Sequence, residues 1–68
     1  MSFSYTNLRS ITIERLQAAR SIHKENGFHT PDEVRAFWKL HGAKGFLNIQ
    51  EITPRMVNEI RTEIIEKN

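Results

Sequence analysis

Two Thr-Pro dipeptides, Thr30-Pro31 and Thr53-Pro54, dictate where helices begin in this chain. A threonine hydroxyl ahead of a helix accepts from a backbone N–H of the first turn. Proline suits the first helical position, because an N–H there would lack a partner. After the first dipeptide, Glu33 stands three residues beyond Thr30 and completes a capping box. After the second, Ile52 and Val57 are spaced as a hydrophobic staple. A third start lies at Thr12, with Ile11 and Leu16 as its staple and Glu14 near the positive end of the helix dipole. Glycine marks the stops. Asn26-Gly27 can close the first helix through a left-handed residue with Phe28 packing back over Ile22 or His23, and Gly42 can close the second. The expected helices therefore cover Ile13 to Glu25, Pro31 to His41 and Pro54 to Lys67.

At 100° per residue, each of these segments gathers one apolar face. Leu16, Ala19, Ile22 and His23 share a side of the first helix; Val34, Phe37, Leu40 and His41 share a side of the second, flanked by Trp38; Met56, Val57, Ile60 and Ile64 line the third. Three amphipathic helices in one short chain bury their stripes most economically against one another. On the third helix, Arg55, Glu59, Glu63 and Lys67 follow at four-residue steps, which reads as a solvated face with i,i+4 pairs of about 0.2–0.5 kcal/mol each. The stretch from Gly42 to Ile52 is long for a helix connection, and Leu47, Ile49 and Glu51 alternate with Asn48 and Gln50. Phe3 and Tyr5 alternate with Ser2, Ser4 and Thr6 in the same way. The reading is a mainly α, three-helix single domain over residues 1–68, with the option of a two-stranded β ribbon pairing residues 2–6 with 46–50.

With 68 residues, a core this small buries only about 60% of the surface of the unfolded chain. No cysteine is present, which excludes disulfides, thiolate metal sites and cysteine nucleophiles. No apolar run reaches the roughly 18 residues of a membrane span, and Met1 to Thr6 lacks the basic and apolar regions of a secretory signal. The expectation is a soluble, unprocessed, cytoplasmic protein that requires no metal or other cofactor.

Catalytic chemistry finds little support. His23, His29 and His41 lie six and twelve residues apart, so no pair has the i,i+4 spacing of a helical metal site. His23 reads as a core or boundary histidine, His41 as a helix C-terminal residue favoured by the dipole, and His29 as a loop residue. Neither a nucleophile elbow nor a glycine-rich fingerprint after a strand is present, so an enzyme is not expected. Gly42-Ala43-Lys44-Gly45 does spell the Gly-x-x-Gly string with which KH domains clamp a nucleotide backbone. In that fold the loop joins the first two helices, whereas here it follows the second. A helix-turn-helix fits poorly as well, since His23 stands where close crossing of the helices wants a small residue.

Charge supplies the remaining direction. Residues 1–45 carry seven basic and four acidic groups, net +3, and residues 46–68 carry three and four, net −1. The basic part points to nucleic acid, with duplex DNA favoured, bound by a non-catalytic regulator through Arg20, Lys24, Arg35, Lys39 and Lys44 on phosphates. The rival is a protein-binding module (adaptor, inhibitor or dimeric regulator, a homodimer included) that uses Phe3, Tyr5, Trp38 and Ile65. Ile65 motivates it, lying about 80° off the stripe of the third helix.

Overall fold

The computed structural model describes residues 7–67. Three helices follow one another, α1 Ser10–Ala18, α2 Pro31–Leu47 and α3 Pro54–Ile60, and α3 continues into a π-helical turn, Arg61–Ile65. No strand occurs among the described residues. Both Thr-Pro starts form as the sequence requires. The Thr30 hydroxyl accepts from the Glu33 N–H at 3.2 Å, and the Thr53 hydroxyl accepts from the Met56 N–H at 3.2 Å. The Glu33 carboxylate reaches back to the N–H of His29 at 3.1 Å, one residue earlier than a regular capping box.

The first helix departs from expectation at both ends. Its N-cap is Arg9 rather than Thr12, and no side chain of its own caps it. Thr12 is instead fully buried, and its hydroxyl donates to Glu59 Oε1 at 2.7 Å. The helix stops at Ala18 rather than at Glu25, because the returning chain occupies its last turn. Ala19 turns extended, and the Phe28 N–H donates to the Leu16 carbonyl at 2.8 Å. Continuing to Glu25 would carry the chain roughly 10 Å further along the helix axis and away from the core that Phe28 must join. Gly27 does adopt a positive φ of 74°, but it does so flush against the Gln17 carbonyl, and no side chain would fit there. Ile22, expected on the apolar face, is 88% exposed, and His23 is exposed too.

Gly42 breaks α2 as expected, with φ 69° and ψ −171°, a conformation essentially reserved for glycine. The chain does not leave the helix there, however. It bends and resumes, so that residues 43–47 stay helical and 48–51 turn. The optional ribbon is therefore not seen: Phe46 and Leu47 belong to α2, Asn48 to Gln50 form its turn, and residues 2–6 lie outside the described residues. The period explains the miss. Phe46, Ile49, Ile52 and Met56, all buried, fall at steps of three and four rather than two.

The core collects Leu16, Ala19, Phe28, Val34, Phe37, Phe46, Ile49, Met56, Ile60 and Ile64. Phe28 packs on Phe37 edge-on and on Phe46, both at 5.2 Å between centroids, rather than on Ile22 or His23. On α2 the inward stripe runs through Val34, Phe37, Trp38 and His41; Leu40 lies about 120° from Val34 and is 79% exposed. The α3 stripe is buried as expected. Glu63 and Lys67 pair on the surface at 3.0 Å, but Glu59 of the same row turns inward to α1. The closest packing joins α2 to α3 and its π turn, while α1 is docked through side chains.

Candidate nucleic-acid interface

The bend at Gly42 brings Gly45 hard against His41 and Phe37 of the first half of α2. The lack of a side chain makes this possible, since a Cβ there would strike the Cβ of His41 and the Phe37 ring. The irregular segment after α1 then runs beside this bent helix. Between the two lies a groove of about 550 Å³ lined by Arg20 and His23 from the segment and by His41, Lys44, Asn48 and Gln50 from α2 and the turn after it. Every one of these six side chains can donate a hydrogen bond, and no carboxylate lines the groove. Glu51, next to Gln50, accepts from the backbone N–H of Arg20 at 3.4 Å and ties the segment to the turn after α2.

Two imidazoles form one wall. His23 and His41 stack at 4.4 Å between centroids with 20° between their planes. His41 lies in turn against Phe37 at 4.5 Å. The His23 end is held by a tight turn: Ser21 and Lys24 exchange backbone hydrogen bonds of 2.8 and 3.2 Å, and the Ser21 hydroxyl accepts from the N–H groups of His23 and Lys24. That hydroxyl is thus occupied by the backbone.

Of the five basic residues expected on phosphates, Arg20 and Lys44 come together in this groove. Lys39 is exposed on α2, makes no ion pair among the described residues and does not line the groove. Lys24 pairs with Glu33 at 3.0 Å and rests over the Phe28 ring. Burial would raise the Glu33 pKa, but the His29 N–H and the Lys24 ammonium outweigh it and hold the carboxyl below its ordinary range. Arg35 pairs with Asp32 at 2.6 Å. Lys24 and Arg35 are therefore each paired with a carboxylate, whereas Arg20 and Lys44 make no ion pair among the described residues.

The residues expected at a protein interface are arranged differently. Trp38 is half-buried beside Phe46, with the Arg61 guanidinium 5.6 Å over its ring. Ile65 is half-buried against the core, because the i→i+5 bond from the Glu66 N–H to the Arg61 carbonyl, 2.8 Å, widens the last turn and lets it lean inward. Phe3 and Tyr5 lie outside the described residues. His23 and His41 are the groove residues that sequence reasoning assigned to core and cap. They stand eighteen positions apart, and only the early end of α1 brings them together, so no local spacing announced the pair.

A second opening, about 400 Å³, lies between Asn7, Arg9, Arg55, Glu59 and Glu63. It mixes both charges, and its Glu59 is already saturated by Arg9 and Thr12. Among the described residues no cluster of histidines and carboxylates suits a metal ion, and no helix is long and apolar enough to cross a membrane. Comparison with protein families, curated proteins and solved structures finds no match to this chain.

Proposed function

We propose that the chain is a small, non-catalytic nucleic-acid-binding regulator that grips the phosphate backbone in the groove between the Arg20–His23 segment and the bent end of α2. The observation that carries this reading is the lining: Arg20, Lys44, two imidazoles and two carboxamides beside Ser21, Ile22 and Gly45, with no carboxylate among them. Arginine and lysine donate to phosphate oxygens, carboxamides donate and accept at base edges, and the acid beside the groove, Glu51, is turned to the Arg20 backbone N–H. Lys39, exposed on α2 and without an ion pair among the described residues, supplies a further cation outside the groove. The rival, a protein partner or a second copy, retains the exposed Leu40 and Ile22 but loses support from Trp38 and Ile65, which are half-buried.

With Lys24 and Arg35 occupied, Arg20, Lys39 and Lys44 leave about three phosphate contacts. The affinity should then fall with salt on a log-log slope near −2.7 for duplex and −2.1 for single strands. For duplex that is a loss of roughly 40-fold between 50 and 200 mM salt. Fluorescence anisotropy with labelled oligonucleotides measures it. Changing Arg20 and Lys44 together to glutamine should flatten the slope by about two contacts' worth, while the Lys24→Gln, Arg35→Gln pair should leave it in place. An absence of binding at about 50 mM salt, or a slope indifferent to Arg20 and Lys44, would overturn the reading.

A further inference from the structure

We infer that the outer face of His23 is a stacking platform for one unpaired base, so that the groove takes single-stranded or looped nucleic acid in preference to an intact duplex. This rests on the nucleic-acid reading above and narrows it. The observation is a column of three rings that begins in the core and ends in solvent. Phe37 is buried and wedged against Phe28 and Phe46; His41 leans on Phe37 at 4.5 Å with its plane tilted by 46°; His23 stacks on His41 at 4.4 Å, nearly parallel. No other ring stacks on His23 among the described residues, and the residue is exposed. Among the described residues, that outer face is left to solvent.

A flat, aromatic, hydrogen-bonding ring is the chemistry that continues such a column, and nucleobases stack on histidine in this way. The neighbours fit the rest of a nucleotide. Arg20 and Lys44 border the same groove for its phosphates, while the Asn48 and Gln50 carboxamides can meet a base edge. The platform is also built before the ligand arrives. The Ser21 hydroxyl and the Ser21–Lys24 backbone pair fix the turn that carries His23, so little ordering remains to oppose binding. In a duplex both faces of each base are covered by its neighbours, and the platform cannot be reached without unstacking a step. In a single strand, loop or bulge that cost is small. Ribose and deoxyribose strands share this base chemistry, so the platform by itself selects strandedness rather than sugar.

The experiment uses a short strand carrying 2-aminopurine at its centre, prepared as DNA and as RNA, each free and annealed to its complement. Wild-type protein should bind the single strands at least roughly tenfold more tightly than the duplexes and quench the 2-aminopurine on binding. His23→Ala should weaken single-strand binding by about 5- to 150-fold, the span that base stacking covers, and abolish the quench. His23→Phe, which keeps a ring and loses the N–H groups, should retain both. Circular dichroism of each variant should be unchanged, since His23 is exposed. Comparing the DNA and RNA strands then shows which sugar the surrounding groove prefers. Duplex bound as tightly as single strand, or single-strand affinity and quench indifferent to His23→Ala, would overturn the platform and leave the phosphate reading standing. Failure of every strand to bind at about 50 mM salt would overturn both.

Discussion

Glu59 ties the first helix to the third, and removing it should cost this small fold a large share of its stability. The carboxylate accepts from the Arg9 backbone N–H at 2.6 Å, from Arg9 Nε at 2.9 Å and from the Thr12 hydroxyl at 2.7 Å. It therefore caps α1 from fifty residues away, where that helix has no side-chain cap of its own. In Glu59→Ala the fully buried Thr12 hydroxyl loses its partner, at about 1–3 kcal/mol. Loss of a negative charge from the helix N-terminus adds about 0.3–1 kcal/mol. The Arg9 side chain is 41% exposed, so water replaces most of its ion pair, which contributes no more than about 1 kcal/mol. We expect about 2–4 kcal/mol in all, against a total near 3–10 kcal/mol for a chain of this length.

Urea unfolding followed by circular dichroism reads this directly. With an m-value of about 1 kcal/mol/M, the midpoint should fall by about 2–4 M. Thr12→Val combined with Glu59→Ala should cost less than the two changes separately, by about 1 kcal/mol or more, because both remove the same bond. The dependence on pH has a definite sign. Burial pushes the Glu59 pKa up, but the Arg9 N–H, the Thr12 hydroxyl and the Arg9 guanidinium outweigh it and set the carboxyl below its ordinary 4.5. A folded-state pKa below the unfolded one gives stability that is present above about pH 4.5 and lost as the pH falls through the folded value. Glu59→Gln should remove much of that acid-side slope, with Glu33 supplying part of what remains. A midpoint shift under about 0.5 M for Glu59→Ala, or strict additivity with Thr12→Val, would refute the tie between the helices.

The glycines separate conformational strain from crowding. Gly27 and Gly42 share a positive φ, but a Cβ at Gly42 meets nothing within 4 Å, whereas one at Gly27 collides with the Gln17 carbonyl. Gly42→Ala should therefore cost about 1–3 kcal/mol in a thermal melt, from backbone strain alone, and Gly27→Ala markedly more; equal costs would contradict the close return of the chain onto α1. Gly45→Ala, which forces the two halves of α2 apart at His41, should cost about 1–3 kcal/mol. It should also shift the His23 and His41 ring protons in NMR spectra, and unchanged ring shifts would mean that Gly45 does not set the stack.

Helix starts and the α3 stripe were legible because each is encoded within one turn. Thr30 and Thr53 cap whatever follows them, and Met56, Val57, Ile60 and Ile64 point one way by arithmetic alone. The end of α1 is a different kind of fact. Between Ala18 and Glu25 no residue forbids a helix; the break comes from Phe28, which reaches Phe37 and Phe46 only if the chain turns back at Ala19. Thr12 misled for a related reason. Its hydroxyl is as good a cap as that of Thr30, but Glu59, distant in sequence, takes the Arg9 N–H and starts the helix at Ser10, which puts Thr12 inside the first turn as a donor to the same carboxylate. Of the candidate site, Arg20 and Lys44 could be listed from charge, but nothing in the sequence distinguished them from Lys24 and Arg35. That distinction depends on Glu33 and Asp32, which hold the latter pair within the fold.

The same early end of α1 that defeated sequence reasoning is what makes a groove available at all. A helix reaching Glu25 would have buried Ile22 and His23 against α2 and left a closed three-helix core. Ending it at Ala18 frees a segment that the fold must then fasten by other means: the Phe28 N–H on the Leu16 carbonyl, Glu51 on the Arg20 N–H, and the Ser21 turn. These fastenings place Arg20 and His23 opposite Lys44 and His41, across a bend that Gly42 permits and Gly45 closes. The proposed binding surface depends on glycine at the bend and on a hydroxyl at the turn, and so is coupled directly to the fold. Substitutions at Gly45 or Ser21 should thus weaken ligand binding by misplacing the His23–His41 stack, even though neither side chain need touch the ligand.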